Sequence, residues 1–346
     1  MSKHTIPIVY LGIDVHKRTY AVTAIQDKVI IKHATMPAIP EALLAFINRW
    51  FGNYDVQSAY EAGFSGFGLH RFLIKNNIKN IVVHAASIEV VANNRSKTDK
   101  RDSKKIASQL AEGKLQSVNI PSLQREAWRS ITRVRLQLVT HRSRLACQIK
   151  SLLHYFGLLP HNHTKRTCQK WLTELMNELE HSIDKDVFFT LKILIQHWLY
   201  FNDSIKVLKK RIRLQAKEDS EIGNIYLEMA GIGLLSARTL ANELGDFSQF
   251  HSQSGLFSFI GLTPKEYSSG DHTRRGNISR MGNPIIRKIL TEAAWKAIGQ
   301  DSDLNSVFDR IQKNTGSKKK AIVAIARKMI GRIRGKFKKK EYTCVR

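Results

Sequence analysis

Residues 8–16 read IVYLGIDVH, a short apolar run that is rich in β-branched residues and carries an acid near its end. Such a run predicts a buried central strand. The segments YAVTAI (20–25) and VIIKHATM (29–36) follow after short polar breaks, and they predict two further strands. Together the three runs predict that the chain begins with a β-meander.

Beyond Pro40 the pattern alternates between helical and strand-like segments. Residues 41–51 and 68–77 have apolar side chains at helical spacing, whereas VQSAYEAG (56–63) and NIVVHA (80–85) are strand-like. The resulting order, β-β-β-α-β-α-β-α, is that of a ribonuclease-H-like sheet. Many α/β domains share a similar order, so the order alone does not identify the fold.

The rest of the chain is predicted to be helical. Residues 131–159 and 187–216 are long, apolar at helical spacing and studded with Arg and Lys, which indicates two helices of an antiparallel or coiled-coil arm. An ordinary helical domain is an equal alternative. From residue 221 onward the chain is mainly helical with Gly-rich loops. The predicted fold class is therefore α/β plus α. The predicted domains are an N-terminal domain (1–120), a helical arm (121–220) and a C-terminal domain (221–346).

Charge dominates the composition of the 346 residues, because 56 Lys and Arg oppose 29 Asp and Glu to give a net charge of +27. A hydrophobic fraction of 42% argues against wholesale disorder. No apolar run is long enough for a membrane span, and an acid comes too early for a signal peptide. Three scattered cysteines form no disulfide framework. We expect a cytoplasmic protein with a polyanionic partner, most simply nucleic acid.

The C-terminal end is especially basic. Residues 313–346 contain thirteen Lys and Arg residues and a single acid, Glu341. A charge run of this kind is usually a solvated face or a frayed tail. Here AIVAIARKMIGRI (321–333) interleaves apolar and basic positions, which favours a helix that faces phosphate.

Four acids stand out in so basic a chain. Asp14 and Glu61 come late in predicted strands, and Asp99 and Asp102 open a predicted helix with a spacing that places both on one face. Each alone has a structural explanation, such as a cap, a turn or a surface residue. Together they fit a pair of Mg²⁺ ions, which need oxygen ligands that converge from several elements and which stabilise an in-line phosphoryl displacement.

A glycine- and serine-containing region follows the predicted arm. Gly231-Ile232-Gly233 resembles the loop of a helix-hairpin-helix module, although a plain turn between helices explains it equally. Further on, Ser268-Ser269-Gly270 lies in a polar loop that precedes four basic residues. A loop serine is usually structural, but cations that could hold a scissile phosphate make this one a candidate nucleophile. The four basic residues are Arg274, Arg275, Arg280 and Arg287.

These motifs together resemble one protein family. GIDVHK, YEAGFSG and KTDKRDSKKIA are similar to the three acidic motifs of the DEDD transposases of bacterial insertion sequences, the IS110 family and its relative, the Piv invertase. The stretch from GIGLLSARTL through RMGNPIIRKIL resembles the C-terminal transposase domain of that family over its full length. The arm matches that family in its position along the chain and in its helical character more than in its exact residues.

The resemblance implies a RuvC-like N-terminal domain in which Asp14, Glu61, Asp99 and Asp102 bind Mg²⁺, with Mn²⁺ as an alternative ion. It also implies a catalytic serine at Ser269, with Ser268 as the second choice. The serine would form a covalent phosphoserine link with DNA while the excised element is inserted elsewhere. Family members act as dimers and tetramers, bring domains of different subunits together, and use a bridge RNA to pair with donor and target DNA. The expected location is the bacterial nucleoid.

Two alternatives remain at this stage. A RuvC-like endonuclease would use the four acids with water as its nucleophile, and the Ser-Gly region argues against it. A nucleic-acid-binding protein that has lost catalysis is the other, and four intact acids count against that reading.

Overall fold

A computed structural model of the chain describes residues 6–84, 88, 99–159, 166–266 and 275–344. For Asp99, Glu266, Arg275 and residues 340–344 the structure describes the backbone only. The chain forms two compact units, residues 1–120 and 121–346.

A five-stranded mixed sheet forms the centre of the first unit. Its strand order is β3-β2-β1-β4-β5. The first three strands pair antiparallel, β4 joins β1 in parallel and β5 joins β4 in parallel. The predicted meander and the two later strands are thereby confirmed. The strands are β1 (Ile8–Val15), β2 (Thr19–Gln26), β3 (Val29–Pro37), β4 (Asp55–Glu61) and β5 (Lys79–Val83).

Helices cover the sheet on two faces. α1 (Pro40–Phe51) and α2 (Gly68–Lys75) bury Leu43 and Leu73 in one core with Leu11 of β1. α3 (Asp99–Ala111) packs in a second core, where Ile106 meets Ala59 and Val83. Because side chains alternate along a strand, this arrangement divides each strand into residues that face α1 and α2 and residues that face α3.

Gly12 allows α3 to approach β1 closely. A Cβ atom at this position would collide with the backbone of α3 at Ser103 and Ala107. Beside it, Thr23 of β2 is the register partner of Gly12, and its Oγ1 lies 2.8 Å from the buried Ser103 Oγ. A residue without a side chain is therefore required where the helix crosses the strand.

We expect Gly12→Ala to lower the free energy of unfolding by about 2 kcal/mol, because the added methyl must displace helix backbone rather than a flexible side chain. Urea denaturation of the whole protein measures this change. Gly68→Ala is the matched control, since no atom lies within 4 Å of a Cβ built on Gly68. Equal stability of the two variants would contradict the close-approach explanation.

Long helices dominate the start of the second unit. The predicted pair is confirmed as α4 (Leu123–Tyr155) and α6 (Lys185–Glu218), with a shorter α5 (Gln169–Leu179) between them in sequence that was not predicted. Arg142 Nη1 donates to Asn202 Oδ1 at 2.7 Å and Arg125 Nη1 to Asp219 Oδ2 at 2.9 Å. The earlier residue of α4 thus meets the later residue in the sequence, which shows that α4 and α6 are antiparallel.

Capping residues explain why the two long helices begin where they do. The Ser122 side chain accepts a hydrogen bond from the Arg125 amide at the start of α4. The Asp184 side chain accepts from the amides of Asp186 and Val187 at the start of α6. Such caps satisfy amides that have no partner within the helix. α4 therefore begins eight residues earlier than its apolar periodicity indicates.

Six helices and a small hairpin complete the second unit, and they share one apolar core that includes Leu240, Leu290 and Ile325. None of the helices that the structure describes, in either unit, has the length and apolar character needed to cross a membrane. The elements are α7 (Ser220–Leu227), α8 (Leu234–Leu244), α9 (Gln253–Ile260), β6 (Pro264–Glu266), β7 (Arg275–Ile278), α10 (Pro284–Ala297), α11 (Ser302–Thr315) and α12 (Lys318–Cys344).

Most of the basic C-terminal segment forms α12. Its apolar positions, among them Met329 and Ile333, are fully buried in the core. Two of its basic residues have acidic partners, because Arg332 Nη1 lies 2.7 Å from Asp301 Oδ2 and Lys336 Nζ lies 2.6 Å from a Glu228 carboxylate oxygen. The segment is therefore a helix of the folded core, and its contact with phosphate stays a prediction.

Candidate functional site

Asp14 and Glu61 end two neighbouring parallel strands. Ile13 of β1 is in register with Tyr60 of β4, so the next residues, Asp14 and Glu61, follow side by side at the carboxyl edge of the sheet. Adjacent strands lie about 4.8 Å apart. The two predicted ligands that lie on strands, Asp14 and Glu61, are thus brought to one edge of the sheet.

Both acids occupy positions that face α3. Gly12 faces that helix, and Asp14 follows it by two residues on the same strand. Ala59, the register partner of Gly12, packs in the α3 core, and Glu61 follows Ala59 by two residues. Alternation along the strands therefore assigns both acids to the helix-covered face.

α3 supplies the remaining acidic positions. Ser103 is buried against the sheet, and Asp102, directly before it, is half-buried. Asp99 is the first residue of the helix, and its side chain lies outside the described part of the structure. The first turn also reaches toward β3, where burial and then the charge of Lys100 lower the pKa of His33.

The Asp14 carboxylate has a histidine neighbour that the sequence reasoning did not single out. His16 Nε2 lies 3.1 Å from Asp14 Oδ2, and the two side chains are 43% and 20% exposed. The only sequence signal was its place within GIDVHK. Its contact with a predicted ligand makes His16 part of the candidate site.

The donor chemistry of this site suits a hard divalent cation, because carboxylate oxygens from separate elements are the ligands that Mg²⁺ prefers. Within the part of the chain that the structure describes, no three His, Cys, Asp or Glu side chains form a group able to hold a metal. The fit therefore rests on the placement of Asp14, Glu61 and Asp102, and on the type of ligand they offer.

The predicted nucleophile and part of the predicted arginine set lie outside the described residues. Ser268, Ser269 and Arg274 fall there, between β6 and β7 in the sequence. β6 and β7 pair antiparallel, with Glu266 opposite Arg275. For Arg275 the structure describes the backbone only.

The two described arginines differ. Arg280 is exposed, and its backbone is in the left-handed region with φ of 55°. Arg287 is half-buried, and its Nη1 donates to the Ile260 carbonyl at the end of α9 at a distance of 2.9 Å. Arg287 therefore has a structural partner in addition to the phosphate contact that we predict for it.

The hairpin glycines connect two helices. Gly231 has φ of 79°, and a Cβ there would collide with the Ala293 carbonyl, so glycine is required. Its amide donates to Gln300 Oε1 at 2.9 Å. This amide is therefore engaged within the fold, which favours the plain-turn explanation at Gly231.

A buried polar network that sequence reasoning missed joins α8 to both arm helices. The Arg238 side chain is fully buried, and its Nη2 donates to Asp219 Oδ2 at 2.6 Å and to Asn242 Oδ1 at 2.7 Å. Its guanidinium carbon lies 4.9 Å from the ring centroid of Trp128 on α4. Burial lowers the pKa of Arg238, whereas the hydrogen bond that Arg238 donates to Asp219 opposes that change.

A second pair continues the network. Arg133 of α4 donates to both oxygens of the buried Glu243, with Nε–Oε1 at 2.7 Å and Nη2–Oε2 at 2.8 Å. These hydrogen bonds raise the pKa of Arg133. Asn283 donates to Glu243 Oε2 at 3.0 Å, and its own Oδ1 caps α10. Glu243 therefore links the arm to the start of α10.

We expect Arg238→Ala to lower the free energy of unfolding by about 3–5 kcal/mol, since it removes one partner of a buried ion pair. Urea denaturation with circular dichroism measures the loss. Arg211→Ala is the control, because Arg211 and Glu218 form an exposed pair at 3.3 Å whose side chains are 49% and 44% exposed. Such pairs contribute at most about 1 kcal/mol. Similar losses in both variants would show that the network does not stabilise the fold.

Two family models match this chain. Residues 11–157, which run from within β1 to just beyond α4, match a model of IS110-type DEDD transposases that is described as "Transposase". Residues 224–308, which run from within α7 to within α11, match the model "Transposase IS116/IS110/IS902 family". The two matches cover both the acidic motifs and the glycine-serine region, in the order found here.

Individual relatives agree with the family models. The chain is 29% identical over 251 residues to "Putative transposase y4qE" of Sinorhizobium fredii, covering 69% of this chain and 58% of that protein. It is 25% identical to the transposase for insertion sequence element IS1111A of Coxiella burnetii, covering 67% of this chain and 64% of the relative. With the IS1533 transposase of Leptospira borgpetersenii, 25% identity extends over 83% of this chain and 85% of the relative.

The chain thus spans less than two thirds of the length of the first two of these relatives. The matched segments nevertheless contain the predicted ligands and the two candidate serines, namely Asp14, Glu61, Asp99, Asp102, Ser268 and Ser269. On these matches, the chain belongs to the IS110 family of transposases.

Proposed function

We propose that the protein is a DNA recombinase that excises a bacterial insertion sequence and inserts it at a new site. The observation that carries this proposal is the placement of Asp14 and Glu61 at one sheet edge, on the face covered by the helix that bears Asp102. Carboxylates so placed suit metal-assisted phosphoryl transfer. The net charge of +27 suits a protein that neutralises DNA phosphates.

We further propose that the first unit has a RuvC-like, ribonuclease-H-like fold. The strand order β3-β2-β1-β4-β5, with one antiparallel meander and two parallel additions, supports this assignment. We retain the three-part division at residues 120 and 220 as a proposal about function. In this division the first part supplies the four acids, the arm connects the first part to the last in sequence, and the last part supplies Ser269.

In the proposed reaction, Asp14, Glu61, Asp99 and Asp102 hold divalent metal, with Mg²⁺ as the expected ion and Mn²⁺ as an alternative. Bound metal supplies charge stabilisation at the scissile phosphate. The chain's own residues position the phosphate, and Arg274, Arg275, Arg280 and Arg287 are proposed to contact its oxygens.

The proposed nucleophile is Ser269. Its Oγ forms a bond to phosphorus, the bond from phosphorus to the deoxyribose oxygen breaks, and the serine proton is transferred so that the leaving oxygen departs as a hydroxyl. Attack by a hydroxyl of another DNA end reverses these events and rejoins the strands, so no external energy source is needed.

The proposed partners are donor DNA, target DNA and a non-coding bridge RNA that pairs with both, and the proposed assembly is a homodimer or tetramer. The support for RNA guidance and for the assembly is the family resemblance. The high positive charge fits several nucleic acids bound together. The proposed location is the bacterial nucleoid.

A recombination assay with Mg²⁺, the element's flanking RNA, and donor and target DNA tests this function. Products are denatured and probed for protein attached covalently to a DNA end. We expect an adduct that maps to Ser269. Cleaved DNA without attached protein would overturn the serine mechanism in favour of a RuvC-like endonuclease that uses water. Absence of any cleavage with the correct RNA and DNA would overturn the recombinase proposal itself.

A further inference from the structure

One long segment of α4 and one of α6 contain cations but no acids. From Ala127 to Tyr155 the sequence of α4 has six Arg and Lys residues and no Asp or Glu. From Ser204 to Lys217 the sequence of α6 likewise has six Arg and Lys residues and no acid. Opposite charges three or four residues apart on a helix form stabilising pairs. This part of the arm cannot form such pairs within itself.

The antiparallel register brings cations of the two helices to the same level. The hydrogen bonds that join residue 142 to 202 and residue 125 to 219 set this register. Arg135 of α4 therefore lies level with Lys209 of α6. Arg166, which precedes α5 in the sequence, is also close enough to Arg142 and Lys209 to lower the pKa of both. We call these residues the arm cation cluster: Arg135, Arg142, Arg166, Lys209 and Arg213.

Members of the cluster influence one another electrostatically. Burial and then the charges of four neighbouring arginines, Arg135, Arg142, Arg213 and Arg166, lower the pKa of Lys209. Burial and then Arg142 lower the pKa of Arg135, whose buried Nε has no hydrogen-bond partner in the described part of the chain. Burial and the neighbouring positive charges thus destabilise the charged forms of Lys209 and Arg135.

No carboxylate among the described residues forms an ion pair with any member of the cluster. Other arm cations are paired, such as Lys206 with Asp203 at 2.8 Å and Arg211 with Glu218 at 3.3 Å. The partners of Arg142 among the described residues are neutral, namely the Asn202 amide and the Trp198 ring. The cluster therefore carries charge without a carboxylate partner among the described residues.

We propose that the arm cation cluster binds the phosphate backbone of a nucleic acid. Arg135 and Arg142 are two helical turns apart, a separation of about 10 Å, so a single small anion cannot contact both. An elongated anion with regularly spaced charges can. Guanidinium groups also match phosphate oxygens in geometry. This inference rests on the proposed function and assigns to the arm a direct role in nucleic-acid binding.

The test compares two double variants with the wild-type protein. Lys209→Gln with Arg213→Gln removes two cluster charges, and neither side chain has a hydrogen bond within the described residues. Lys185→Gln with Lys192→Gln removes two exposed arm charges outside the cluster. Fluorescence anisotropy measures the affinity for a 30-base-pair DNA duplex and for an RNA hairpin. The measurement is repeated at several NaCl concentrations from about 50 to about 300 mM, because the dependence of affinity on salt reports the counterions released on binding.

We expect the cluster variant to bind at least one of the two probes roughly tenfold to a hundredfold more weakly. Its plot of log affinity against log salt should be shallower by about two, because each lost phosphate contact removes about 0.9 from the slope. The probe that changes identifies DNA or RNA as the source of the phosphates. The melting temperature of the cluster variant should not fall, since only like-charge repulsion is removed.

Three results would overturn the inference. One is a cluster variant whose affinity and salt slope equal those of the control variant. Another is a change in oligomeric state with unchanged salt slopes, which would assign the cluster to acidic residues of a second copy. If the wild-type protein binds neither probe, the proposed function fails together with this inference. The first two results contradict the inference alone, so the two failures are distinguishable.

Discussion

Asp14→Asn is expected to reduce DNA strand cleavage by about a thousandfold or more while nucleic-acid binding is retained. The substitution keeps the shape of the side chain but removes its charge, and a neutral amide is a poor ligand for a divalent cation. Metal stabilisation of a phosphoryl transition state amounts to several kcal/mol, and each 1.4 kcal/mol is about tenfold in rate. Gel-based cleavage of labelled donor DNA at saturating Mg²⁺ measures the loss.

Asp55→Asn provides the matched control for this change. Asp55 begins β4, at the other end of the strand from Glu61, and pairs with Lys79 at 2.7 Å on the surface. We expect cleavage by this variant to match wild type. Cleavage by Asp14→Asn at the wild-type rate would remove Asp14 from the metal site. Loss of binding together with cleavage would show that Asp14 stabilises the fold instead.

Ser269→Ala is expected to eliminate the covalent protein–DNA adduct and to lower recombination on the order of a thousandfold or more. Without Oγ, no bond to phosphorus can form, and loss of a nucleophile typically removes nearly all of the chemical acceleration. Denaturing gels of the recombination reaction report the adduct and the recombinant product in the same lane.

Ser268→Ala distinguishes the two adjacent serines. If Ser269 is the nucleophile, this variant should retain the adduct, with at most a modest change in rate. Loss of the adduct in Ser268→Ala alone would move the assignment by one residue. Cleavage that persists in both variants, with no protein on the DNA, would indicate water as the nucleophile.

Much of the first unit could be predicted from sequence, because strand and helix periodicities there are local properties. The run at 8–16 gave the central strand, and proline and polar breaks marked where elements end. The placement of Asp14 and Glu61 at strand ends was likewise visible. The role of Gly12 was not, because the need for a missing side chain arises from a helix about ninety residues later in the chain.

The arm and C-terminal region show a different limit. The long helices were predictable from apolar spacing, but Arg133 and Arg238 read as ordinary surface cations of charged helices. Their partners lie elsewhere in the sequence, at Glu243 for Arg133 and at Asp219 for Arg238. Buried ion pairs depend on tertiary contacts, so no local pattern announces them. Arg287 was similarly predicted to contact phosphate with no sign of its bond to Ile260.

The contact between Arg133 and Glu243 also limits how such genes can be recombined. A hybrid that joins residues 1–220 of one relative to residues 221–346 of another pairs Glu243 with whatever residue its new partner carries at position 133. A buried carboxylate that loses its cation destabilises the fold strongly. Viable exchange points should therefore lie near residue 120, where one compact unit ends and the next begins. The arm and the serine-bearing region would then be inherited together.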